Sequence, residues 1–210
     1  MTLAHCVFLP QQLLPLRIFE PRYVRMLKAA LAGNQMFAVS QLDDSRISKT
    51  NRELPCPFTC VGRITTHVEM SDGTFQLIIE GLRRAKVHSI SHESSYPLLE
   101  ISPVVDEESD DSLLFTREIA RTLSFTEQLL SDVGDDAQPL LDRFRGLSNK
   151  PGALADAVAG HLIAETEIRR KLLECLSPIQ RITLVTQTLS KLSAQKDLDD
   201  KIKPPNLGLN

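Results

Sequence analysis

Residues 14–23 read LPLRIFEPRY, and this decapeptide joins an apolar strand to the start of a helix. Proline lacks a backbone N–H, so Pro15 is restricted to a strand start or to a strand at the sheet edge. Pro21 has the fixed φ of a first helical turn, and Glu20 places a carboxylate directly before it. The pattern therefore predicts a strand-to-helix corner.

The side chains of this corner predict how it is held in place. We expect the aromatic side chains of Phe19 and Tyr23 to point into the core. We also expect the carboxylate of Glu20 to pair with Arg17 or Arg22, since such ion pairs more often fix a corner than bind a ligand. The decapeptide is thus interpreted as a structural element and not as a contact site.

The sequence around the corner predicts a mixture of strands and one helix, separated by polar turns. The predicted elements are strands at 7–9, 14–18 and 36–42, a helix at 21–32 that ends at Gly33, and a long exposed loop at 43–53. Long loops of this kind sometimes contribute to binding.

A hairpin is predicted where the hydrophobic period changes to two. Apolar and polar residues alternate from Phe58, turn residues follow at 71–73, and the alternation resumes at Phe75. We expect Gly81 to break the second strand, and two further strands are predicted at 85–90 and 96–105. At least five mostly antiparallel strands with interior glycines favour a small coiled sheet or barrel.

The acidic run at 106–111 marks a change in composition and predicts a solvated connector. A metal-binding acidic patch is the less favoured alternative. Amphipathic helices are predicted beyond the run at 113–130, 137–145, 151–164, 165–176 and 178–196, followed by a disordered tail at 197–210. The predicted organisation is therefore a β-rich part at 1–105 and a helical part at 106–196.

Composition limits the classes of function. The chain has 210 residues, is 42% hydrophobic and 24% charged, and carries a net charge of −3. We do not expect nucleic acid as a partner, because proteins that bind it concentrate Lys and Arg on one face. No apolar run is long enough for a membrane span, and the first residues lack a basic signal region, so we expect a cytoplasmic protein with reduced cysteines.

Catalytic and cofactor motifs are not found in the sequence. The glycines form neither a G-x-x-x-x-G-K-[ST] loop nor a G-x-G-x-x-G fingerprint, and no G-x-S-x-G or spaced Ser/His/Asp set occurs. We therefore expect no enzyme activity, cofactor or metal. Cys56, Cys60 and His67 allow a zinc site as an alternative, but their spacing is loose and Cys60 is expected to pack as a small apolar residue.

A basic cluster formed by Arg83, Arg84 and Lys86 follows Gly81. It is the best candidate in the sequence for contact with an anionic ligand. A solvated strand edge is the more frequent origin of such a pattern and is the favoured interpretation.

Four segments occur in an order and spacing typical of one protein family: VFLP at 7–10 followed by LPLRIFEPRY at 14–23, VGRI at 61–64, DG at 72–73, and EGLRR at 80–84. They resemble the amino-terminal substrate-binding domain of Lon proteases, and the resemblance covers roughly residues 3–195 when the later helical segments are included. The signature positions are Leu16, Arg17, Phe19, Glu20, Pro21, Arg22, Tyr23, Gly62, Gly73 and Gly81.

The resemblance implies an α+β fold, in which a PUA-like small β-barrel with one inserted helix is followed by a C-terminal α-helical bundle. It implies a stand-alone form without the ATPase and protease domains of Lon. The chain departs from the family at Gln11, where glycine is usual, and its first strand is expected to be short.

The function implied by the resemblance is non-catalytic recognition of exposed or unfolded polypeptide. An adaptor role in proteolysis or quality control would make a protease or chaperone the partner. An RNA-binding PUA-like module is the alternative, because such barrels contact RNA elsewhere and residues 83–86 are basic. An unrecognised hydrolase is the least favoured hypothesis.

Overall fold

The computed structural model describes residues 1–43, 54–108 and 112–202, and within these ranges the chain forms a mixed sheet flanked by helices. The strands are β1 (Thr2–Leu3), β2 (Leu13–Ile18), β3 (Met36–Gln41), β4 (Phe58–Glu69), β5 (Phe75–Ser91) and β6 (Leu98–Pro103). The α-helices are α1 (Pro21–Ala32), α2 (Ser112–Leu130), α3 (Gln138–Arg145), α4 (Pro151–Leu162), α5 (Thr166–Glu174) and α6 (Pro178–Ile202), and a 3₁₀ segment spans Ser131–Ala137.

The described strands form an open sheet with the order β1-β3-β4-β5-β2, and β6 also pairs with β5. Among the described strand pairs, only β1–β3 is parallel. Strand β2 pairs with the first half of the 17-residue β5, and β6 pairs with its second half. Because β2 and β6 share one side of β5, they end the sheet there, and no described ladder joins them to β1. The predicted closed barrel is therefore wrong for the described residues.

The corner between β2 and α1 lies where the sequence predicts it. Tyr23 is buried, and its hydroxyl donates to the carbonyl oxygen of Thr2 at 3.1 Å. The Glu20 carboxylate makes no helix-capping bond and instead accepts from Nε of Arg22 at 2.9 Å, which confirms the predicted pair. The prediction for Phe19 is wrong, since its side chain is 65% exposed. Ile18 takes the inward position at the end of β2, so the alternation turns the next side chain outward.

Residues 7–9 do not form the predicted strand, although all three are buried. They belong to an irregular segment that crosses β5 at Gly81, where the N–H of Gln11 donates to the Gly81 carbonyl at 2.8 Å. A Cβ on Gly81 would collide with the Leu9 carbonyl oxygen. Gly81 therefore permits a close crossing inside β5 and does not end the strand, contrary to the prediction. Gln11 has a φ of 64°, in the left-handed region that glycine favours.

The core of the sheet follows the predicted alternation. The inward side chains of β4 and β5 are all buried: Cys60, Ile64, Phe75, Leu77 and Ile79. A Cβ on Gly62 would lie 2.6 Å from the Ile79 side chain and 2.7 Å from Phe8, so any other residue here would displace these core side chains. Each fully buried aliphatic side chain contributes about 1.5–3 kcal/mol.

The helices follow the predicted boundaries to within a few residues except at the end of the chain. Helix α4 lies at the centre, and its residues Leu154–Ala159 are all buried. Helix α6 continues to Ile202, so the predicted start of a disordered tail at 197 is wrong, while residues 203–210 lie outside the described residues. Residues 44–53 of the predicted loop and 109–111 of the acidic run also lie outside them. No described helix is long and apolar enough to cross a bilayer.

Candidate functional site

An exposed apolar surface lies on the outer face of β2, β5 and β4. Pro15 of β2 is opposite Ile78 of β5, and Ile78 is opposite Thr66 of β4. The alternation that buries Leu77 and Ile79 turns Ile78 outward, where it is 39% exposed. Leu13 and Val68, from the neighbouring strands, are 38% and 59% exposed.

Pro15, Thr66, Val68 and Ile78 belong to the lining of a depression of about 450 Å³, which we call the sheet groove. It is lined by Pro15, Leu16, Arg17, Thr66, His67, Val68, Gln76, Leu77 and Ile78. Its volume falls in the range of ligand pockets, roughly 300–1,000 Å³, but it is a shallow open groove rather than an enclosed cavity. Such a shape suits a few apolar side chains of a longer chain better than a small metabolite.

The rim of the sheet groove is polar, and its charged side chains form only a weak ion pair. Nη2 of Arg17 lies 3.5 Å from Oδ2 of Asp72, and both side chains are more than half exposed, so this pair contributes little. Hydrogen bonds from the side chain and backbone of Thr74 lower the pKa of Asp72 and hold it in the β4–β5 turn. Gly73 in that turn has a φ of 77°.

Strand β2 lies at the edge of the described sheet, and Pro15 removes one backbone donor from its middle. A chain that added to this edge would therefore lack one ladder hydrogen bond. The sheet groove consequently offers side chains, not a continuous strand edge, as its contact surface.

The predicted basic cluster is not one surface. Arg83 and Lys86 are exposed, whereas Arg84 is only 5% exposed. The pairing of β4 with β5 shifts register opposite residues 81–83, so the alternation that exposes Ile78 does not continue to Arg84, which faces the helices. The prediction of a solvated strand edge is wrong for Arg84.

Arg84 belongs to a buried group that we call the four-charge cluster: Arg84, Asp106, Asp156 and Arg181. Nη2 of Arg84 contacts both carboxylate oxygens of Asp156 at 2.8 Å, and Nη1 donates to Asp106 at 3.1 Å. Arg181 donates to Asp106 through Nη1 at 2.8 Å and Nη2 at 2.5 Å. The cluster thus joins β5 to the connector, to α4 and to α6.

Burial sets the electrostatics of this cluster. The exposed fractions of the side chains are 0% for Arg181, 3% for Asp156, 5% for Arg84 and 38% for Asp106. Burial raises the pKa of Asp156, against the opposing charges of the two arginines. Burial also opposes ionisation of Asp106, but the hydrogen bond and charge of Arg181, together with Arg84, outweigh it and lower the Asp106 pKa.

Gly152 is required beside this cluster. A Cβ there would collide with Nη2 of Arg181 and would lie 3.0 Å from Oδ2 of Asp106. Sequence reasoning missed the cluster because its members are far apart in the chain. One signal was present: Asp156 is an acidic residue inside the apolar helical run ALADAVA at 153–159.

The alternative of a zinc site finds no support in the described part of the chain, where no group of three His, Cys, Asp or Glu side chains is placed to hold a metal. Cys60 is buried in the core, as expected, whereas His67 is exposed. All four cysteines are free thiols.

Comparison with known proteins agrees with this architecture. The sequence matches the family described as ATP-dependent protease La (LON) substrate-binding domain over residues 1–191. Lon protease from Lawsonia intracellularis is 26% identical over 198 residues, which cover 91% of this chain and 23% of the relative. Lon protease from Brevibacillus choshinensis is 22% identical over 203 residues, covering 92% and 24%. The chain thus spans about a quarter of the length of these relatives.

Solved structures show the same fold. The N-terminal domain of Mycobacterium avium complex Lon protease superposes with a TM-score of 0.65 at 18% identity, covering 90% of this chain and 96% of that one. A Lon N-terminal domain protein from Xanthomonas campestris gives a TM-score of 0.58 at 20% identity, covering 90% and 95%. Because the family match extends over most of the chain, this protein belongs to the family of Lon substrate-binding domains.

Proposed function

We propose that this chain binds exposed or unfolded polypeptide segments in the sheet groove, without catalysing a reaction on them. The observation that carries the proposal is the set of outward apolar side chains on β2, β4 and β5, surrounded by a polar rim. Membership of a substrate-binding family supports it.

The groove is suited to unfolded chains because its attraction is non-directional. Burial of apolar area does not depend on one side-chain geometry, so many sequences can satisfy it. An extended segment places every second side chain on one face, with roughly 6.5 Å between successive side chains on that face. One or two of these side chains can occupy the groove. Each buried aliphatic side chain contributes about 1.5–3 kcal/mol, so single segments bind weakly and longer clients bind through repeated contacts.

The substitution Ile78→Asp tests this site. The side chain is exposed, so the change should leave the fold intact while placing a charge on the groove floor. Binding of a permanently unfolded, reduced and alkylated model protein should weaken about tenfold or more, in proportion to one lost apolar contact. Fluorescence anisotropy measures this affinity, and circular dichroism checks the fold.

Val133→Asp is the matched control, because Val133 is 51% exposed but lies in the 3₁₀ segment of the helical part. It should bind the unfolded protein like the parent chain. Equal loss in both variants, or loss in neither, would mean that the sheet groove is not the binding site.

We further propose that the bound segment is passed to a partner protease or chaperone, which would make the protein an adaptor. The similarity to Lon proteases supports a link to proteolysis. Adding this chain to a degradation reaction should then accelerate turnover of the unfolded protein, and the Ile78→Asp variant should not.

The RNA-binding alternative has less support, because Arg84 is buried and only Arg83 and Lys86 of the predicted cluster are exposed. Affinity for single-stranded RNA that falls steeply with salt would favour it, since phosphate contacts release counterions. A flat salt response would remove it.

A further inference from the structure

A second groove lies on the helical side of the molecule, where the N-terminal ends of α2, α4 and α6 meet the connector after β6. Its volume is about 620 Å³, and we call it the helix-end groove. It is lined by Asp106, Glu107, Ser112, Phe115, Ile119, Ser148, Asn149, Lys150, Pro151, Gly152, Ala153 and Pro178. None of its lining residues lines the sheet groove.

The helix-end groove is bordered by unusually exposed apolar side chains. Val105 and Leu113 are 83% and 84% exposed, the highest values among the exposed large hydrophobic residues of the described chain. Each is adjacent in sequence to a lining residue. Phe115 and Ile119 of α2 are only half-buried beside them. Apolar surface that is left open next to a depression is typical of an interaction site.

The charge at this groove is negative. Asp106 is neutralised by Arg84 and Arg181, but Glu107 and Glu108 are exposed and make no ion pair with any residue in the described ranges. Lys150 is the cation among the lining residues.

Glu107 and Glu108 lie outside the first turns of the helices that border the groove. The first turns of α2, α4 and α6 contain no acidic residue. Glu107 and Glu108 therefore precede α2 without occupying the positions in which a carboxylate stabilises a helix start. Their placement fits recognition of a cationic partner across a partly apolar surface, since complementary charge steers association and selects partners.

We propose that the helix-end groove docks a basic amphipathic segment of a partner protein, in which apolar anchors contact Val105, Leu113 and Phe115 while Lys or Arg side chains face Glu107 and Glu108. This surface is separate from the site of the proposed function. A client in the sheet groove and a partner at the helix-end groove could then be held at once.

A defined peptide tests the proposal on the full chain. The probe is a fluorescent helical peptide of about 18 residues with leucine at i, i+3, i+4 and i+7 spacing and lysine elsewhere. The same peptide with glutamate in place of lysine is the charge control. We expect the lysine peptide to bind at least about tenfold more tightly at low salt, and the difference to shrink as salt screens the charges.

Two charge-reversal variants locate the site. Glu107→Lys combined with Glu108→Lys should weaken lysine-peptide binding about tenfold. Asp135→Lys combined with Asp136→Lys makes the same change in net charge at an exposed acidic pair that does not line the groove, and it should retain binding. Leu113→Ser should weaken binding severalfold without changing the charge.

The outcomes separate the two proposals. Loss of the lysine peptide in the Glu107/Glu108 variant alone, with binding of the unfolded model protein unchanged, supports the docking site even if the sheet groove fails its own test. Equal loss of lysine-peptide binding in both charge-reversal variants would mean that the peptide responds only to the net charge of the protein. Loss of lysine-peptide binding in the Ile78→Asp variant would place the peptide in the sheet groove. Either result, or no loss at all, overturns the proposal.

Discussion

The substitution Asp156→Asn in the four-charge cluster should destabilise this protein strongly. It preserves the shape of the side chain and removes one of two carboxylates that face Arg84 and Arg181. Asp106 alone then faces two guanidinium groups, of which one is 5% and the other 0% exposed. Solvent cannot compensate an unpaired charge at that depth.

The magnitude follows from this burial. Removing one partner of a buried pair costs about 3–5 kcal/mol, against a total stability of roughly 5–15 kcal/mol for a domain. For a chain of this length, each 1 kcal/mol shifts the melting temperature by about 2–4 °C, so a loss of roughly 6–20 °C is expected. Asp106→Asn should also destabilise the protein, because it removes the carboxylate to which both Nη atoms of the fully buried Arg181 donate.

Urea and thermal unfolding followed by circular dichroism measure these differences. Glu127→Gln serves as the control, since it removes one of the two partners of Arg145 from a pair that is 46% and 48% exposed, and it should cost less than about 1 kcal/mol. The double variant Arg84→Met with Asp156→Leu should recover much of the loss, because it leaves Arg181 matched to Asp106. The reasoning is refuted if Asp156→Asn costs no more than Glu127→Gln.

Three further predictions concern Gly152 beside the four-charge cluster, Tyr23 in the corner between β2 and α1, and the stability of the protein at acid pH. Gly152→Ala should destabilise by about 1–3 kcal/mol in urea unfolding, since its methyl group would displace Arg181; a neutral result would show that the cluster can relax. Tyr23→Phe should cost about 0.5–1.5 kcal/mol because the bond to Thr2 is lost, and an unchanged midpoint would contradict that bond. Because the folded pKa of Asp106 is lowered, its contribution is present above the unfolded pKa of about 4 and is lost as the pH falls below it, so Asp106→Asn should show a flatter acid limb of stability than the parent.

The parts of the fold that were predicted correctly depend on local patterns. Helix α1 spans the predicted residues because Pro21 starts it and Gly33 follows it. The β4–β5 hairpin was correct because its period of two and its turn residues are read within a few positions. The Glu20–Arg22 pair also lies within three residues of sequence.

The incorrect predictions depend on contacts between distant segments. Gly81 looks like a strand break until residues 7–12 are seen to cross β5 at that point. Arg84 looks like a surface cation because its buried partner, Asp156, lies in a helix 72 positions away. A periodic pattern contains no information on such partners, although an acidic residue in an apolar helix face indicates that one exists.

Pro15 also affects the tendency of this protein to aggregate through the apolar groove on its surface. A sheet edge with a complete row of hydrogen-bonding groups is a template on which a second copy, or a growing fibril, can add strands. In β2 that row is interrupted at the position that borders the groove. The apolar side chains that could attract an unfolded chain therefore lie beside a strand edge that resists β-aggregation. Addition of a second copy to the sheet is disfavoured next to the sheet groove.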